Sequence, residues 1–480
     1  MNMYLVPVKR FGLFLGLSLL IFSRSQLDAG QLGALQEQWL SKAYRFERAG
    51  WTYVHVEGDP RALGFQHGYL LAPEIAESKR VMVEMWRHQT GMEWAWLVEQ
   101  TKRFMSPALG QEIREEIDGL VEGMNAAGVS TTRDEIITQN AYFELSSYWW
   151  PERLKRDDVG QSELPRPRDS CSSFIATGSA TSDGMIVLGH NTMIDYAFPF
   201  FNVILDLAPS KGHHILMQTL PGWIHSGSDF FITDGGLVGS ETTIGDFHGY
   251  SEKGIAEFAR MRRATQFAGN LEEWCAIMKE GNNGGYANSW LIGDAKTGEI
   301  ARLELGLKFV GMEKKNDGYF IGSNIAEDLR ILRQETNSRD SDIRVSSVAR
   351  RVRWNELMKK YAGRIDLDCA KAMEGDDYDV YTHGLNPSSR TLAGHYELDG
   401  DPRVAGWDTP FTPAGSVDSK VVDSRMAKQM TIAVRWGSAD GMSFDANAFL
   451  NANPQYSWQA GLMRSRPSEP WVEFRANEKP

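Results

Sequence analysis

Cysteine is scarce in this chain: Cys171, Cys275 and Cys369 are the three among 480 residues. So few cannot make a disulfide scaffold, and an odd number leaves at least one thiol free or paired with another chain. Basic residues are outnumbered, 51 Lys and Arg against 63 Asp and Glu, for a net charge of −12. That balance argues against a general nucleic-acid binder, whose affinity rests on basic contacts to phosphate. There is no Gly-x-Ser-x-Gly elbow, no Gly-rich phosphate loop and no βαβ alternation, which speaks against an α/β-hydrolase or a dinucleotide fold. His190, His213, His214, His225 and His248 lack the spacing of a zinc helix or knuckle, so neither a metal nor another cofactor is expected. No Asn-x-Ser/Thr acceptor occurs, Asn386 being followed by proline. A large eukaryotic secretory glycoprotein would usually carry several, so a bacterial exported protein is favoured, with a lysosomal-type lumen as the eukaryotic counterpart.

What is present begins with one apolar run. Lys9-Arg10 precedes Phe11 to Phe22, and Ser23-Arg24-Ser25 follows. A basic start, a short apolar core and small residues at its end predict a secretory signal over 1–25, and hence export to a periplasm or the medium. The run is too short to span a membrane comfortably. From 26 to 150 the apolar residues recur every three or four positions, which predicts a mostly helical part serving as pro-region or small chain. Within it, 31–49 is expected to be a polar amphipathic helix and WTYVHVEG a short strand. Residues 151–170 are charged, proline-bearing and aperiodic, which predicts a linker cut or removed on activation. From 171 to 480 the period changes to that of strands, SSFIAT and MIVLGHNTM first, with helical patches near 255–278 and 345–361. The fold class is α+β, antiparallel sheets flanked by helices. From about Asn386 the chain reads as turn-rich. The acidic pair Asp376-Asp377 reads as a solvated face.

Cys171 stands where the linker stops and the strands begin. Cys275 and Cys369 lie in helical patterns, where core packing suffices. An isolated Ser-Cys-Ser at a strand start is ordinarily a buried, inert thiol. A small polar residue before a cysteine that opens a strand also suits an N-terminal nucleophile made by self-cleavage of the Ser170–Cys171 bond. The freed α-amine, with a pKa near 7.7–8.0, can then serve as base for its own thiol, near 8.5.

Five ordered blocks decide between these readings: CSSFIATG…IVLGHNTMIDYAFPFFNVILDL, LPGWIHSGSDFFITDGGLVGSETTIG, NNGGYANSWLIGD with GYFIGSN, NPSSRT, and GSVDSKVVDSRMAKQM. Together they resemble the phospholipase B-like proteins, N-terminal-nucleophile hydrolases related to bile-salt hydrolases and penicillin acyltransferases. The resemblance covers most of 171–458. It implies a four-layer αββα sandwich, self-cleavage before Cys171, and hydrolysis of fatty acyl amides or esters, lipids first. It further implies Cys171 as nucleophile, with His190 near the amine and Asn191 beside it. Met193 stands where bile-salt hydrolases place an aspartate, which leaves the amine without an evident carboxylate partner. Thr242 and Thr243 fall at the oxyanion donor, Asn324 matches the asparagine that donates to the same oxyanion, and Arg390 matches an arginine that holds the nucleophile's surroundings. Asn288 is expected to orient structure or substrate. The expected partner is a lipid or acyl-amide small molecule. Peripheral membrane contact and oligomeric state are left open. Two other readings share these residues, an amidase or acyltransferase of the penicillin-acyltransferase type and a non-catalytic lipid-binding relative.

Overall fold

Two stacked sheets position everything that follows. The computed structural model describes residues 32–156, 171–227, 229–401 and 410–480. The expected helix over 31–49 is only Ala34–Leu40, and a strand β1, Tyr44–Arg48, follows it. The reason is local. Ala49 and Gly50 both take positive φ, 47° and 79°, the conformation of a tight hairpin whose twist suits antiparallel strands. β1 therefore folds back on β2, Trp51–Gly58, with Phe46 stacked on Tyr53 and Tyr44 on His55. Helices Pro60–Leu70, Ala72–Thr90, Trp94–Phe104, Gln111–Ala126 and Arg133–Asn140 follow, as the 3.6-residue period predicts.

The strand-rich part continues with β3 (Cys171–Gly178), β4 (Gly184–Asp195), β5 (Val203–Pro209), β6 (Ile215–Thr219), β7 (Phe230–Thr233) and β8 (Leu237–Thr243). After two helices come β9 (Asn288–Asp294), β10 (Glu299–Leu305), β11 (Val310–Lys315) and β12 (Gly318–Gly322). A small ribbon, β13 (Tyr378–Asp379) and β14 (Gly384–Leu385), precedes β15 (Ala414–Asp423), β16 (Thr431–Trp436) and β17 (Val472–Arg475). One sheet has nine strands in the order β1-β2-β5-β6-β7-β8-β9-β10-β11, the other six in the order β12-β3-β4-β15-β16-β17. All pairings within them are antiparallel except β2 with β5. The stretch from Asn386, read as turn-rich, thus supplies three strands of the smaller sheet.

The sheets meet face to face, β3 and β4 against β8 and β9. Ser173 and Ser240 hydroxyls bond across the interface at 2.6 Å. Helices Glu257–Phe267 and Leu271–Lys279 cover the outer face of the nine-stranded sheet, and Ser346–Lys360 and Leu367–Glu374 that of the six-stranded one. This is the expected αββα layering. Alternation along β3 serves two cores at once: Phe174 packs on Trp354 of the outer helix, while Ile175 reaches Gly293 of the facing sheet. Among the described residues no helix is long and apolar enough to cross a membrane.

Candidate active site

The register of three neighbouring strands assembles the site. Across β3–β4, Cys171 pairs with Thr192, Ser172 with Asn191 and Ser173 with His190. Across β4–β15, Asp418 stands opposite Thr192 and Lys420 opposite His190. Because side chains alternate between faces, Cys171, Thr192 and His190 share the face toward the other sheet, while Ser172 and Asn191 point to the outer helices. The bonds agree. His190 Nε2 lies 3.0 Å from the Glu241 carbonyl. Asn191 Nδ2 donates to the carbonyls of Glu374 and Leu392 at 2.7 and 3.0 Å.

Cys171, 2% exposed, reaches a cavity of about 310 Å³ whose walls include Tyr142, Phe143, Phe198, Phe201 and Tyr286. A π-helical turn, Leu145–Trp149, delivers Ser146 and Tyr148 to the same cavity; such turns frequently sit at functional sites. His88 stacked on Trp458, with 3.5 Å between ring centres, lines another part of the wall.

The groups around the thiol control its charge. Burial, and then the Asp229 carboxylate, push the Cys171 thiol up to about 12, against the opposing pull of the Met193 N–H and the Lys420 charge. A buried anion without a matched cation is costly, so the thiol keeps its proton at neutral pH. Lys420 is itself fully buried and donates to Thr192 Oγ1 and Asp418 Oδ1, both at 2.6 Å. Gln218 Nε2 holds the other Asp418 oxygen at 2.6 Å. Asp229 and Glu241 converge on the thiol: one carboxyl oxygen from each and the Cys171 sulfur all lie within 4.8 Å of one another. Asp229 is held at φ 62° and accepts from the Tyr286 hydroxyl at 2.9 Å. Burial raises both carboxyls, Glu241 well above its ordinary range because Asp229 adds a like charge. Two facing acids in that setting hold a proton between them. Burial, helped by the Lys420 charge, drives His190 well below its ordinary value, so the ring is neutral.

Arg350, on the outer helix Ser346–Lys360, ties the site together. One of its amino groups donates to the Cys171 carbonyl at 2.6 Å and Ser172 Oγ at 3.1 Å, the other to Asn324 Oδ1 at 2.8 Å. That fixes the Asn324 amide, whose Nδ2 donates to the Thr243 carbonyl at 2.7 Å. Asn324 sits at φ 69°, a left-handed conformation that asparagine tolerates better than most residues. Thr243 lines the cavity. The buried hydroxyls of Thr242 and Thr243 and both amide atoms of Asn288 have no protein partner among the described residues.

Of the residues expected from sequence, Cys171, Thr243 and Asn324 are brought together, and His190 lies on the same face. Asn191 points outward. Ser170 lies outside the described residues. Arg390 is used elsewhere: its guanidinium forks onto Asp379 at 2.9 and 2.7 Å and onto Asp399 at 2.9 Å. Arg350 is the arginine that touches the cysteine. Sequence reasoning did not single out Arg350, Lys420, Asp418, Asp229 or Glu241, although four of them lie inside the quoted blocks. For Glu241, Asp418 and Lys420 the signal available was a charged residue inside a strand that otherwise reads as buried. Asp376-Asp377 is not a solvated face: Asp376 takes a two-pronged bond from Arg353, and burial with the Asp440 charge pushes Asp377 up to about 7. Asp377, Asp440 and His395 also converge within 4.8 Å, but there the imidazolium supplies the cation.

The sequence profile described as Phospholipase B matches residues 64–308, just over half of the chain. The chain belongs to the phospholipase B family. Its similarity to phospholipase B-like protein C of Dictyostelium discoideum is 27% identity over 289 residues, 51% of this chain and 50% of that one. Phospholipase B-like 2 of Homo sapiens is 31% identical over 145 residues, 26% of this chain and 24% of the relative. An uncharacterized protein of Archaeoglobus fulgidus is 23% identical over 252 residues, 51% of this chain and 41% of that one. The matches span half or less of these phospholipase B-like relatives. Among solved structures, a mutant of the conjugated bile acid hydrolase from Clostridium perfringens aligns with a TM-score of 0.32 at 11% identity, over 58% of this chain and 93% of that one.

Proposed function

We propose that this phospholipase B family chain is an exported, self-cleaving cysteine hydrolase of the N-terminal-nucleophile type, acting on acyl amide or ester bonds and on lipids first. The observation that carries the reading is Cys171 at the head of a central strand, its sulfur at an aromatic-walled cavity and its carbonyl gripped by a buried arginine.

Cleavage of the Ser170–Cys171 bond gives Cys171 a free α-amine beside the sulfur. With the thiol protonated at neutral pH, attack requires the proton to leave as the sulfur–carbon bond forms. The amine takes it, the sulfur attacks the acyl carbonyl, and the protonated amine returns the proton to the leaving group. Water then resolves the thioester with the roles reversed. One N–H of Asn324 is spent on Thr243, which leaves the other for the oxyanion, and the Arg350 bond to its oxygen keeps the amide from flipping. Fatty acyl chains suit a cavity lined by Tyr142, Phe143, Phe198 and Phe201. The arrangement serves an amine acceptor as well as water, so the acyltransferase reading rests on the same atoms.

Intact mass and N-terminal sequencing of the wild type beside Cys171→Ala test the proposal. The expected result is a wild-type fragment that starts at Cys171 and is missing from the variant. A single uncut wild-type chain would overturn it. Product analysis with and without added amine then separates hydrolysis from acyl transfer.

A further inference from the structure

The first turnover, cleavage of the chain's own bond, cannot use the α-amine, because that amine does not exist until the bond is broken. We infer that the Asp229–Glu241 carboxyl pair is the base that takes the Cys171 proton during self-cleavage. This rests on the self-cleaving reading above and adds to it the group that starts the reaction.

Three observations on geometry carry the inference. The pair's oxygens lie within 4.8 Å of the sulfur, a span closed by a small side-chain rotation or one water, and apo distances are often longer than the reacting ones. Glu241 is fully buried, and the partner its carboxyl shares a hydrogen bond with is the Asp229 carboxyl beside the thiol. Asp229 is aimed there by a left-handed backbone, φ 62°, and its Tyr286 partner is left-handed too, φ 51°; strained residues of this kind gather where function requires a fixed direction. His190 is the competing base. It stands opposite Ser173, displaced by two residues, about 6.5 Å along the strand, from the place opposite Cys171. Its Nε2 donates to the Glu241 carbonyl, so the lone pair is on Nδ1, but burial and the Lys420 charge hold its pKa well below the ordinary value, which makes it a weak proton acceptor.

The step balances. The ionised member of the pair accepts the S–H proton as sulfur bonds to the Ser170 carbonyl carbon. The C–N bond then breaks, and the proton passes from the pair to the departing nitrogen, which becomes the α-amine. The product is a thioester between Ser170 and the Cys171 sulfur, and water hydrolyses it to a carboxyl group and the free thiol. The pair ends with the one proton it began with. The charged and titratable groups that bear on it are Lys420 and Asp418 from β15, Glu257 from the helix Glu257–Phe267, Cys171 itself, and Tyr148 and Tyr286.

The test follows cleavage in time. Full-length wild type, Asp229→Asn/Glu241→Gln and Cys171→Ala are made by pulse-labelled cell-free synthesis, and the cut fraction is measured between about pH 5 and 9. The wild type is expected to cut at a rate that levels off with pH. The double variant keeps both shapes without the base and is expected to cut at least about 100-fold more slowly. Its residual rate should rise steadily with pH as hydroxide takes over. Circular dichroism reports whether it is folded. If it is not, Glu241→Gln alone replaces it, with the loss of the pH plateau as the readout. Wild-type cutting with an equal rate and an unchanged profile in the folded variant would overturn this inference and leave the proposed function standing. A wild type that never cuts would overturn both.

Discussion

At the level of single residues, Asn324 has two duties that one substitution separates. Its amide holds the Thr243 carbonyl and, in the proposed mechanism, donates to the oxyanion, while its backbone sits at φ 69°. Glycine adopts that backbone without strain, so Asn324→Gly keeps the turn and removes the amide. Turnover of a chromogenic acyl substrate should fall about 10²–10³-fold, the loss typical of one oxyanion donor, with far-UV dichroism unchanged. His395 makes the pH prediction. Burial would lower its pKa, but bonds to Asp440 and Glu397, at 3.1 and 2.9 Å, outweigh this and raise it to about 10. A raised folded-state pKa means stability that is complete below about pH 6.5, the unfolded value, and lost as pH climbs through about 10. Asp377, raised to about 7, adds a loss of the same sign at lower pH, starting near its unfolded value of about 4. The melting temperature should therefore drop from about pH 6.5 to about 10, and His395→Gln should flatten that part of the curve.

Among elements, helices Pro60–Leu70 and Gln111–Ala126 pack backbone against backbone. Gly64 and Gly68 of one interlock with Gly119 and Gly123 of the other. A Cβ on Gly64 would lie 1.8 Å from the Glu116 carbonyl oxygen, and one on Gly119 2.0 Å from that of Arg61. Backbone cannot yield as a side-chain tip does, so Gly64→Ala should cost about 1–3 kcal/mol or more in denaturant unfolding, with the site chemistry unaffected where the protein is still folded. The pattern GFQHG was visible in the sequence, but the facing glycines lie some fifty residues away, and proximity of that kind leaves no local trace. The strands from β3 to β12 were legible because apolar alternation and turn residues mark them. β15 was not: its Asp418, Ser419 and Lys420 are all buried, and charges inside a strand mimic a loop. Arg350, Asp229 and Glu241 were hidden for a related reason. A charged residue in sequence is read as solvated unless its partner is known, and the partners here come from other strands and helices.

In the molecule as a whole, the amino-terminal part is not a separate body. β2 pairs along its length with β5, Trp51 lies edge-on to Trp436 at 5.5 Å, and Arg48 bonds to Glu478 near the other end of the chain. A cut before Cys171 would leave both pieces in one sheet and one core. Size-exclusion chromatography of the cut protein should therefore yield a single peak in native buffer, resolved into two fragments only in guanidinium. A fragment that elutes alone without denaturant would contradict this.

The parallel pairing of β2 with β5 has a further consequence. Everything from Asp59 to Asn202 is the connection between those two strands, and Cys171 lies on it. While that connection is whole, the two strands find each other as parts of one tether, at a closure cost that grows only slowly with length. Were it severed, as the proposed self-cleavage requires, their meeting would become an encounter of two molecules. Assembly that was first-order would become dependent on dilution, so a severed protein would have to be folded once and kept, its lifetime governed by how slowly it opens.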